Sequence, residues 1–126
     1  MENNNSKPKT ELKKRVYFYA LDIIKFIDSL NKGDFSVQVI AKQLLRSATS
    51  IGANIIEAQA GSTKKDFTNF FSYALKSANE SRFWLGLLRD SGKANTDTVG
   101  KLLQETTELA NILGSSILTL KGKNKL

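Results

Sequence analysis

Apolar residues recur along this chain at the three-and-four spacing of an amphipathic helix, in four separate runs. Val16, Tyr17, Ala20, Ile23, Ile24, Ile27 and Leu30 predict a first helix from about Thr10 to Asn31, ended by Lys32-Gly33. Phe18 and Leu21 fall off that stripe, and Tyr19 and Phe26 lie at its margin, so more than one side is expected to be covered. The second run, Val37, Ile40, Leu44, Ala48, Ile51 and Ile55, predicts a helix to about Gln59 with Ser36 as its N-cap. Gly52 inside it costs roughly 1 kcal/mol relative to alanine. With Ala48 and Ala53 it marks a place where another helix comes close.

After Gly61-Ser62, Thr63-Lys-Lys-Asp66 has the form of a capping box and opens a third helix that runs to about Asp90. Its inner face is Phe67, Phe70, Phe71, Ala74, Ala78, Ser81, Leu85 and Leu88. Ser91-Gly92 ends it and Asn95-Thr96 restarts a fourth, from about 96 to 121, with Val99, Leu102, Leu103, Thr106, Leu109, Ala110, Leu113, Ile117 and Leu120 on one stripe. Four long helices joined by short connections favour antiparallel neighbours. The chain reads as all-α, an antiparallel up-down-up-down four-helix bundle over residues 10–121, between a disordered tail of residues 1–9 and a basic tail of residues 122–126.

Two stripes do not belong to that core. Gln43, Arg46, Ser50, Asn54 and Glu57 fall together on the far side of the second helix, in a sector about 80° wide at 100° per residue. Amides, a hydroxyl, one arginine and one glutamate suit a surface that meets another surface, although an ordinary wet face is the simpler reading. On the third helix, Tyr73, Trp84 and Leu87, with Phe83 nearby, form a side strip too apolar for a solvated face. These four residues are the candidate oligomer interface.

Composition then narrows the function. The 126 residues include no cysteine and no histidine, which removes the usual zinc sites, disulfides, cysteine nucleophiles and histidine acid–base chemistry. No Gly-rich phosphate loop is present, and Glu105 and Glu108 read as solvated charges on a polar face. No enzyme, cofactor or metal site is expected. The start of the chain has no apolar core of a signal peptide and no run approaches a membrane span, so a soluble cytoplasmic protein is expected, with no membrane partner.

The net charge of +7 sits mostly at the ends. Residues 1–15 carry a net +3, residues 121–126 another +3, and the body is nearly neutral. An even number of helices brings both ends to one pole. Lys13, Lys14, Arg15, Lys121, Lys123 and Lys125 are therefore the candidate nucleic-acid contacts, binding phosphate backbones without reading sequence. Solubilising tails are the competing reading. An Arg46–Glu80 ion pair between the second and third helices is expected from their similar distances to the turn near Ser62.

The segment from Gln43 to Glu57, Gln-Leu-Leu-Arg-Ser-Ala-Thr-Ser-Ile-Gly-Ala-Asn-Ile-Ile-Glu, resembles the signature of a small bacterial four-helix-bundle family, the proteins encoded in intervening sequences of large-subunit ribosomal RNA. Asp66-Phe67-x-x-Phe70-Phe71-x-x-Ala74-x-x-Ser77-Ala78-Asn79-Glu80 is similar to its second block, and the similarity spans roughly residues 13–121. Arg82-Phe83-Trp84-Leu85 is similar to a segment of the accessory protein of diversity-generating retroelements, in the same superfamily. Where the family usually has Glu-Gly, this chain has Glu57-Ala58. The resemblance implies a homopentameric barrel and an association with nucleic acid. In the retroelement branch it implies a reverse transcriptase and its RNA as partners. A non-enzymatic oligomeric bundle that binds RNA or DNA is the expectation; the alternative is a protein–protein adaptor or scaffold without direct nucleic-acid contact.

Overall fold

The computed structural model describes residues 8–61 and 63–122, with side chains from residue 11 onward. Four helices follow one another: α1 Pro8–Asp28, α2 Phe35–Ala60, α3 Lys64–Asp90 and α4 Thr96–Leu120. Each packs on its sequence neighbours and α4 closes onto α1, so the four helices stand at the corners of a square. This is the up-down-up-down bundle that the periodicity predicts.

Proline at the start of α1 occupies the helix position where its missing N–H costs nothing. Thr63 caps α3, its hydroxyl accepting from the Asp66 N–H at 3.0 Å, and Asn95 caps α4 through the Thr98 N–H at 2.9 Å. At the end of α3, Gly92 adopts a φ of 75°, and the Lys93 N–H reaches back to the Leu88 carbonyl at 3.0 Å. The cap of α2 is Asp34 rather than the expected Ser36. One carboxylate oxygen of Asp34 accepts from the Val37 N–H at 3.2 Å and the other from Lys93 Nζ at 2.6 Å. The lysine and the cap together hold the Asp34 carboxyl below the usual aspartate range. Only a partner 59 residues away separates these two good capping residues.

The core is a continuous layer of Ile, Leu, Val, Ala and aromatic side chains, with Ile23, Leu44, Ile51, Ile55, Leu85, Leu88, Leu109 and Leu113 fully enclosed. Each such side chain contributes about 1.5–3 kcal/mol by leaving water. In α1 the inward face is rotated from the expected one. Tyr19 and Phe26 are buried, whereas Tyr17 is 64% exposed and Ile24 41%. The cause is polar: the Tyr19 hydroxyl lies 2.6 Å from Thr106 Oγ1, which bonds the Leu102 carbonyl. Burial pushes the Tyr19 phenol up to about 12. Ser81, a further hydrogen-bonding neighbour of Tyr19, lies 2.8 Å from Ser47. Ser47, Ser81, Tyr19 and Thr106 thus form one buried polar layer with a member from every helix. At Gly52 the α1 backbone comes close: a Cβ there would stand 3.3 Å from the nearest methyl of Val16.

Candidate functional site

The Ser47–Ser81 contact fixes how α2 and α3 face one another. Turning outward from it by helical geometry, the polar stripe of α2 and the side strip of α3 lie on the two banks of the same α2/α3 groove. The structure brings these two sequence features together on one face. Gln43, Ser50 and Asn54 are half-buried along it, and Arg46, Glu57 and Glu80 are exposed. Asn54 donates to the Ser50 carbonyl at 2.8 Å, which turns its amide along the helix.

On the α3 bank, Tyr73 is 49% exposed and Leu87 39%, and Trp84 is half-buried. The Trp84 indole N–H points at Glu80 Oε2, 3.4 Å away, and Phe83 meets the Trp84 ring edge to face at 4.9 Å. Phe83 itself turns further outward and is 58% exposed. An indole, a phenol and a leucine open to solvent amid amides and carboxylates have the make-up of a protein-contact surface.

The expected Arg46–Glu80 ion pair does not form. Among the described residues, neither group takes part in an ion pair. The two positions stand at the same level, as the hairpin arithmetic requires, but their side chains leave the interface on the outside. The next residue on each helix, Ser47 and Ser81, points across it. Advancing one residue turns a helix by about 100°, which separates facing from flanking.

At the pole where α1 begins and α4 ends, Lys13, Lys14 and Lys121 are exposed. Arg15 belongs to a different construction. Its guanidinium donates to both oxygens of Glu105 at 2.7 and 2.8 Å and to Glu108, clamping α1 to α4. Hydrogen bonding to Glu105, outweighing the burial that opposes it, holds Arg15 more firmly protonated than an ordinary arginine. Glu105 and Glu108 are therefore partners of a cation on α1, not the free solvated pair the sequence implied, and Arg15 has little capacity left for a phosphate. Lys123 and Lys125 lie outside the described residues, as does the start of the expected N-terminal tail, residues 1–7.

A cavity of about 570 Å³ opens at the same pole, lined by Leu12, Phe67, Phe71, Ile112 and Leu120, with Gln59 on its wall. The Gln59 Oε1 atom is buried without a hydrogen-bond partner among the described residues. The described residues contain no group of three or more acidic, His or Cys side chains placed to hold a metal, and no helix long and apolar enough to cross a membrane.

Comparison with known proteins supports the resemblance read from the two sequence blocks. The family model described as 23S rRNA-intervening sequence protein matches residues 9–115. A 1.70 Å crystal structure of a protein of unknown function from the S23 ribosomal protein family, from Bacteroides thetaiotaomicron VPI-5482, superposes with a TM-score of 0.78 at 35% sequence identity. The match covers 84% of this chain and 97% of that one. No curated protein matches the sequence.

Proposed function

The chain belongs to the 23S rRNA-intervening sequence protein family, and within it we propose that it works as a non-enzymatic, self-assembling bundle that binds RNA or DNA through a basic pole. The observation that carries this reading is the α2/α3 face, where Tyr73 and Leu87 stand open to solvent beside Trp84 and a polar stripe from the other helix. Aromatics so placed anchor interfaces. Self-association places several copies of the same pole together. Lys13, Lys14 and Lys121, exposed on each copy, then sum into a field that attracts phosphate backbones without sequence preference and with a steep dependence on salt. The family resemblance supplies the number five for the assembly; the apolar strip supplies only the need for a partner.

The adaptor reading draws on a separate observation. Arg15 is neutralised by Glu105 and Glu108, which removes one cation from the pole. In that reading the α2/α3 face meets another protein, a reverse transcriptase in the retroelement branch, and nucleic acid is contacted only through it. Filter binding to a generic single-stranded RNA and a generic duplex DNA at rising salt separates the two. Direct binding predicts retention that falls steeply with salt and is lost when Lys13, Lys14, Lys121, Lys123 and Lys125 are neutralised together. No retention at low salt by a correctly assembled protein leaves the adaptor.

A further inference from the structure

The bundle's core stops short of one pole. One turn beyond Ile55, α2 carries Ala58 and Gln59, and one turn beyond Leu113, α4 carries Ser116. Small or polar side chains thus follow where the deeper layers hold isoleucine and leucine, and the space between the four helix ends stays open. That space is the cavity of about 570 Å³, and every helix contributes to its lining: Leu12 from α1, Gln59 from α2, Phe67 and Phe71 from α3, Ile112 and Ser116 from α4. Protein interiors leave few voids larger than a water molecule. A space of this size falls instead among small-molecule sites, which span about 300–1,000 Å³.

Three features of the lining say what chemistry fills it. The walls are apolar and partly aromatic, with the Phe67 and Phe71 rings stacked 4.5 Å apart at 28°. A flat ring system suits such a wall. Next, the Gln59 Oε1 atom is buried with no hydrogen-bond partner among the described residues. An acceptor left without a donor in a dry place is a standing cost. The amide has only to turn towards the cavity for a ligand's N–H or O–H to remove it. The third feature is charge. Arg15 is the one cation among the described lining residues, and Glu105 and Glu108 hold its guanidinium, while Glu11 stands exposed at the rim. A carboxylate or phosphate meets no available countercharge here and brings no donor for Gln59.

We propose that this cavity is a binding site for a neutral, flat aromatic molecule carrying one N–H or O–H donor, with its rings against Phe67 and Phe71 and its donor on Gln59 Oε1. The site lies inside each single bundle. It depends on neither the self-assembly nor the nucleic-acid binding proposed above.

Indole and 1-methylindole, which differ in the N–H alone, test it by calorimetric titration of the full chain. The expected result is saturable binding of one indole per chain, with 1-methylindole about tenfold weaker, as one lost hydrogen bond implies. Gln59→Met keeps the length of the side chain and removes the acceptor, so the two probes should then bind alike. Ser116→Phe fills the cavity and should abolish binding while circular dichroism shows the helices intact. Sodium decanoate, an anionic apolar probe, is expected not to bind. No saturable indole binding by the native chain overturns the proposal, as do equal affinities for the two indoles in that chain. Indole binding that survives in folded Ser116→Phe places the site elsewhere and also overturns it. Decanoate binding more tightly than indole overturns the ligand class.

Discussion

Ser47 and Ser81 meet hydroxyl to hydroxyl, 2.8 Å apart, at the centre of the α2/α3 packing. Ser81 is also 2.9 Å from the Ser77 carbonyl, and Ser47 is 3.3 Å from that of Leu44. If Ser81 donates to its carbonyl, Ser47 donates to Ser81 and both hydroxyls are satisfied. Ser81→Ala removes this partner and leaves Ser47 with a single long contact in a dry site, so a loss of about 1–3 kcal/mol is expected. The double variant Ser47→Ala with Ser81→Ala should lose less than the sum of the two single changes, because it strands nothing. Urea unfolding of the four proteins completes the cycle; strict additivity would show that the contact carries no coupling.

The same layer predicts an alkaline signature. The Tyr19 phenol titrates at about 12 in the folded protein, against 10.0 for an ordinary tyrosine. Between these values the unfolded chain loses its proton while the folded chain keeps it, so stability falls as pH rises through that window. Tyr19→Phe should flatten this slope, at a cost of about 1 kcal/mol at neutral pH for the lost bond to Thr106. Thermal unfolding from pH 9 to 12 reads both effects.

At the acid end the relevant group is Asp34. Its folded carboxyl is held low by Lys93 and by the Val37 N–H, so its contribution is complete above the ordinary aspartate range and is lost as pH falls through the folded value. Asp34→Asn keeps a capping side chain and removes the charge. The stability difference between this variant and the parent, clear at neutral pH, is expected to shrink towards acid; a constant difference would mean that the Lys93 pairing contributes nothing.

Arg15 separates two roles that look alike in sequence. Arg15→Ala leaves Glu105 and Glu108 unpaired next to one another and is expected to lower stability by about 1 kcal/mol or less, the partly exposed setting screening the loss. It should change nucleic-acid affinity far less than neutralising Lys13 and Lys14 together does. Affinity and unfolding measured on both variants decide the matter, and a larger binding loss for Arg15→Ala would place the arginine in the contact surface.

Where the sequence and the structure part company, the missing information is rotational or long-range. α1 is apolar on so many sides that its period fits two phases. The choice of Tyr19 over Tyr17 for the interior depends on Thr106, 87 residues away. Ser36 and Asp34 are both good N-caps, and Lys93 distinguishes them. The Arg46–Glu80 expectation has the right level and the wrong facing, since hairpin counting gives height along an axis but not the angle about it. The Thr63 and Asn95 caps and most of the inner faces of α2, α3 and α4 were legible because adjacent residues decide them. The α2 polar stripe was visible from its spacing alone. Its position beside Tyr73 and Trp84 was not, because that requires knowing which flank of α2 receives α3.

Self-assembly through the α2/α3 face is the claim on which the functional reading depends, and the mass of the native protein in solution tests it most directly. Light scattering at micromolar concentration is expected to give about five times the 14.0 kDa of one chain, and Trp84→Ala is expected to move that mass towards the monomer. A native mass of 14.0 kDa at those concentrations would contradict the account.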